Sequence, residues 1–160
     1  MILQPRIVTV KEKKLVGKSR KMSLLNNQTF ELWRSFMPER RNIKNQLSSH
    51  LISMRVYEGV LQPDDLAQNF YKWAAVEVSQ FDAVPSNMEM FVLNGGLYAV
   101  FEYQGLHTDN RIFIYIFKDW LPNSSYDLDE RPHFEVLGEN YKNNDPNSQE
   151  EIWIPIRLKK

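Results

Sequence analysis

The sequence predicts an α+β fold: two tandem β-α-β-β modules related by a pseudo-two-fold, forming an antiparallel sheet with helices packed on it. Three observations predict it. Short runs rich in β-branched and aromatic residues recur between clusters of Asn, Asp, Gly and Pro, which is how strands separated by turns read. An amphipathic helical pattern interrupts these runs early in the chain. The order of elements in the first half then returns in the second, provided that one ambiguous segment is helical.

Arg6-Ile-Val-Thr-Val10 is an extended, β-branched run, and Lys14-Leu-Val-Gly-Lys18 continues it. Thr29 stands where a helix N-cap is expected, and Phe30, Trp33 and Met37 follow at helical spacing. Pro38 should weaken or bend that helix, because a proline nitrogen cannot donate to the preceding turn. Leu51–Tyr57 and Tyr71–Val78 read as strands on either side of a loop holding Pro63, Asp64 and Asp65. The first half is therefore β, α, β, β.

In the second half, Met90–Leu93 and Leu97–Tyr103 read as extended runs flanking Asn94-Gly95-Gly96, a turn signal. Arg111–Leu121 fits either state. Ile112, Tyr115, Ile116 and Trp120 lie on one helical face, yet Ile-Phe-Ile-Tyr-Ile-Phe has strong strand propensity. Pro132–Val136 and Glu151–Arg157 close the chain as strands across an Asn/Asp-rich loop. With a helix at Arg111–Leu121, two modules of about 75 residues share one order, at about residues 5–80 and 88–158, within a single domain spanning 1–160. Units of that size bury their apolar faces better against a twin than alone.

Composition bounds the function. The 160 residues include no Cys, and 20 Lys+Arg balance 20 Asp+Glu. Thiol chemistry and thiolate metal sites are excluded, and a neutral chain is a poor candidate for broad electrostatic binding of nucleic acid. His50, His107 and His133 are too scattered for a metal set, no Gly-x-Ser-x-Gly nucleophile turn occurs, and no apolar run is long enough to span a bilayer. No catalytic residue, metal or cofactor is expected, and the cytoplasm is the expected compartment. Neutrality is nevertheless the sum of unlike halves: residues 1–80 hold 13 basic and 7 acidic residues, and residues 81–160 hold 7 and 13. Either the halves attract one another across an interface or the acidic half offers counter-charge to a cationic ligand.

Six motifs in order carry a family resemblance: Phe30-Glu-Leu-Trp33, Trp73-Ala-Ala-Val-Glu-Val78, Gly96-Leu-Tyr-Ala-Val-Phe101, Asp119-Trp-Leu-Pro122 with Ser125-Tyr126, Pro132-His-Phe-Glu135 and Glu151-Ile-Trp-Ile-Pro155. From about Arg6 to Arg157 the chain resembles the GyrI-like effector-binding domain, the small-molecule module of many AraC-type transcription regulators that also occurs alone in gyrase inhibitor-like proteins. The resemblance implies the paired β-α-β-β fold, hence a helix at Arg111–Leu121. It also implies a central cleft that takes organic, often lipophilic and cationic compounds between aromatic walls and one acid. That acid falls in the Glu-aromatic-Ile-Pro motif, at Glu151. Pro85-Ser-Asn-Met88 departs from the family, which often has Gly in that turn.

Strand alternation sends Glu151, Trp153 and Pro155 to one face and Ile152, Ile154 and Ile156 to the other. The isoleucines suit a core beneath helices, and a carboxylate beside a tryptophan suits a flat cation. Matching the Trp73–Val78 strand to Glu151–Ile156 puts Trp73 in the place of Glu151, as a facing wall. Tyr57 and Tyr126 suit a pocket rim, Trp33 and Phe36 suit a cleft wall or the core, and Trp120 suits core packing. No role is read for Glu150. The expected function is stand-alone binding of amphipathic cationic aromatic molecules around Glu151, without direct DNA or membrane contact. Two alternatives stay open: a hydrolase of electrophilic xenobiotics in the same cleft, and a module that binds a regulator or topoisomerase.

Overall fold

The computed structural model describes residues 3–160. Nine strands run β1 Arg6–Val10, β2 Lys13–Met22, β3 Leu51–Tyr57, β4 Phe70–Val78, β5 Glu89–Leu93, β6 Gly96–Gln104, β7 Tyr126–Leu128, β8 His133–Leu137 and β9 Gln149–Leu158. Helix α1 spans Thr29–Phe36 and tightens into a 3₁₀ turn over Met37–Asn42, with Pro38 near its start. Helix α2 spans Arg111–Tyr115, widens to a π turn over Ile116–Trp120, and ends in the short α3, Leu121–Asn123.

Every strand pairing is antiparallel, in the order β1-β6-β9-β8-β3-β4-β2-β5, with β7 added to β9. The two ends of this order are joined through the chain. Only Lys11 and Glu12 separate β1 from β2, and only Asn94 and Gly95 separate β5 from β6. The sheet therefore curls until its ends meet, and Gly95 sits so close to Val10 that an added Cβ would fall 2.3 Å from the Val10 carbonyl oxygen. Inside the curl lies an apolar core of Leu15, Met54, Trp73, Leu93, Tyr98 and Phe134 with their neighbours.

The helices cover the other face at two separate places. Helix α1 lays Leu32 and Phe36 on Val16, Phe70, Ala74 and Val76. Helix α2 lays Ile112 and Ile116 on Phe101, Ile152, Ile154 and Ile156, so the three isoleucines sit under a helix as their spacing predicts. That contact also explains why a segment with strand propensity is helical. As a strand it would present apolar side chains on both faces; as a helix it fully buries Ile112 and Ile116 and leaves Ile114 exposed. Tertiary burial outweighs intrinsic propensity.

The pairing also defines the internal symmetry. Met54 faces Phe134 across β3 and β8, while Met54 faces Trp73 and Phe134 faces Trp153 on the outer sides. Trp73 thus corresponds to Trp153, and Tyr71 to Glu151. The expected match of Trp73 with Glu151 was two residues out of register. A two-residue slip keeps every side chain on its own face, so alternation cannot detect it. Two smaller differences are the strand β7, absent from the expected elements, and Thr29, the first helical residue rather than the cap. Among the described residues no helix is long and apolar enough to cross a membrane.

Candidate functional site

Between the footprints of α1 and α2, the middle of the sheet carries polar residues on its helix-bearing face. Parity places Ser53, Arg55 and Tyr57 of β3, Lys72 of β4, His133 and Glu135 of β8, and Glu150 of β9 on that face, the same one as Ile152 and Ala74. Ser53, Lys72 and His133 are buried. Arg55 pairs with Lys72 on one side and His133 on the other, and Ser53 pairs with Glu135. These groups surround the pseudo-two-fold axis.

A cavity opens there, walled by Phe113 and Phe117 of α2 and by Leu61 and Tyr57, with Ser53, Arg55, His133 and Glu135 on its floor. Its free volume is about 30 Å³, room for no more than a water or two. The rings form a connected wall: His133 lies edge-on to Tyr57 at 5.2 Å and 6.3 Å from Phe117, and Tyr57 lies 5.3 Å from Phe70.

Burial sets the charge state of the floor. The Glu150 carboxyl is pushed up to about 9, by desolvation first and then by the adjacent Glu135, with which it shares a hydrogen bond. Glu150 Oε2 is buried with no hydrogen-bond partner. Burial, reinforced by Arg55, brings Lys72 down to about 7, and the same two causes bring His133 down to about 3, so its imidazole is neutral. Such groups are costly to bury, and their concentration on one patch of the sheet, where Arg55, His133 and Glu135 line the cavity, is characteristic of binding sites.

The residues expected at a ligand site divide among four places. Trp73 and Trp153 point into the closed interior of the curled sheet, where Trp153 stacks on Phe134 at 5.1 Å and Trp73 meets Phe91 edge-on at 5.2 Å. Glu151 is on their face, at the rim: it accepts from Arg6 at 3.1 Å and from the Trp153 indole at 3.3 Å. Phe36 is fully buried under α1, with Trp33 edge-on at 5.8 Å. Tyr126 stacks near Trp120 in the cluster beneath α2. Of the expected set, Tyr57 and Trp153 both border the cavity, Tyr57 from the helix-bearing face and Trp153 from a strand whose ring turns to the interior. Glu135, Glu150, Arg55, Lys72 and His133 were not foreseen. Their signal was present, since each is a charged or titratable residue in an apolar strand, on the parity of the helix-covered face.

Comparison with known proteins agrees with this architecture. An integron cassette protein from Vibrio cholerae superposes with a TM-score of 0.63 over 97% of both chains at 15% identity. The C-terminal domain of EcmrR superposes with a TM-score of 0.71, covering 99% of this chain and all of that one at 14% identity. SAV2435, whose structure contains tetraphenylphosphonium, matches at 0.59 over 97% of this chain and 94% of its own at 15% identity. No curated protein matches by sequence. The profile of the Cass2 family, described as integron-associated effector binding protein, matches residues 6–156. The chain belongs to that family, and its fold is that of the GyrI-like effector-binding domain its motifs resemble.

Proposed function

We propose that this protein binds an amphipathic aromatic small molecule between α1 and α2, over strands β3 and β8. The observation that carries the reading is the buried polar floor. Under each helix the sheet is apolar, whereas between them it holds Ser53, Arg55, Lys72, His133, Glu135 and Glu150. A core built only for stability gains nothing from buried charge, because desolvation offsets most of the attraction between the charges.

The ligand's positive group is countered by the Glu135–Glu150 pair, while Tyr57, Phe113 and Phe117 take its rings. The tetraphenylphosphonium of SAV2435 is a ligand of this kind. Glu151, tied to Arg6 at the far face, keeps a structural role. Titrating tetraphenylphosphonium into the protein by calorimetry tests this assignment. Glu135→Gln and Glu150→Gln together should weaken binding about tenfold, and Glu151→Gln should change it less than twofold. The reverse pattern would move the site to the Glu151 face.

A further inference from the structure

A site built only for a cation has no use for a guanidinium on its floor. Arg55 lines the cavity, held by little. Its Cζ lies 5.2 Å from the Phe70 ring centre, and its Nη1 donates to the Tyr57 hydroxyl at 3.5 Å, a long bond. A guanidinium presents five N–H donors in a planar fork. None of the ion pairs among the described residues includes Arg55.

Its remaining nitrogens are not sealed in protein either. Among the described residues the buried side-chain atoms lacking any partner are Arg131 Nη1 and Glu150 Oε2, so the unused donors of Arg55 keep some access to solvent, and Arg55 lines the cavity. Lys72 stands directly across the strand pair from Arg55, and at 5% exposed it adds a second nitrogen base to the same side of the floor. Glu135 and Glu150, joined by a hydrogen bond, are the carboxyl groups that act on Arg55 and Lys72 across this floor. The floor is therefore amphoteric, with the cationic fork near Tyr57 and the carboxyl pair toward β9.

We infer that the ligand is a zwitterionic aromatic molecule, whose carboxylate or equivalent oxyanion takes the Arg55 fork while its positive group takes the carboxyl pair. A planar bidentate acceptor fits that fork better than a point charge does. The inference rests on the cleft being the ligand site, and deepens that reading by naming the class of ligand.

A rhodamine free acid and its methyl ester separate the two. They share one xanthene cation and differ in whether a carboxylate accompanies it. Fluorescence polarisation with the wild-type protein should show the acid bound about tenfold more tightly than the ester, as a charge-assisted hydrogen-bonded pair implies. Arg55→Gln should bring that ratio close to one, and Arg55→Lys should retain part of it. An ester bound as tightly as the acid by the wild type, or an acid preference that survives Arg55→Gln, overturns the inference. The wild-type comparison needs no variant to fold. If the ester binds and weakens with Glu135→Gln and Glu150→Gln while the acid gains nothing, the cleft reading stands and the zwitterion fails. If neither dye binds, or both ignore every cleft substitution, both fail.

Discussion

Glu150 and Glu151 are neighbours in the chain and opposites in environment. Glu151 meets Arg6 at the rim of the interior, whereas Glu150 is largely buried beside Glu135, to which it is hydrogen-bonded, on the opposite face between the helices. A carboxyl raised from 4.5 to about 9 contributes stability that is fully present below pH 4.5 and lost as pH rises toward 9. Lys72, lowered from 10.5 to about 7, acts with the opposite sign between those values, and His133, lowered from 6.5 to about 3, does so between its own. Because the three partly cancel, the wild-type profile hides them and a variant exposes them. The stability of Glu150→Gln relative to wild type should grow with pH between 4.5 and 9, by up to about 1.4 kcal/mol per pH unit. Urea unfolding of both proteins at pH 5.5 and 8.5 measures it; a difference that does not change with pH would mean that Glu150 is an ordinary solvated acid.

At the scale of elements, β2 passes close against β4 at Gly17. Gly17 pairs with Ala75, and a Cβ on Gly17 would lie 2.1 Å from the Ala74 carbonyl oxygen and 2.7 Å from the Ala75 Cα and Cβ. The obstacle is mostly backbone, so the strands must separate to admit a methyl group. Gly17→Ala should cost about 1–3 kcal/mol or more, read from the midpoint of chemical unfolding. An unchanged midpoint would show that the strands yield freely. Helix α2 is less tightly built: its π turn at Ile116–Trp120 interrupts regular hydrogen bonding beside Phe113 and Phe117, two walls of the cavity. A π turn inside a helix often marks a functional segment. Since the cavity now has room for little beyond water, an organic ligand must displace part of its wall, and α2 is the wall with an irregular backbone.

At the scale of the molecule, the sequence carried the fold further than it carried the site. Strand runs, the amphipathic α1 and the repeated order placed nearly every element, because hydrophobic periodicity and turn residues are local signals. The helix at Arg111–Asn123 needed more, since it depends on the isoleucine face of β9 beneath it. Alternation also placed Ile152, Ile154 and Ile156 under a helix and sent Glu151 and Trp153 the other way, as the structure has them. What alternation could not show is that the Glu151 face closes on itself, because that follows from β1 running into β2 and β5 into β6 at opposite ends of one sheet. Closure fills the interior with Trp73, Trp153, Met54 and Phe134, and the cavity opens on the other face, beside α2. A crystal structure with tetraphenylphosphonium bound tests that division most directly. The aromatic rings should lie between α1 and α2 against Phe113, Phe117 and Tyr57, over Glu135, with α2 displaced outward. A ligand lodged instead between Trp73 and Trp153, with its charge on Glu151, would contradict it.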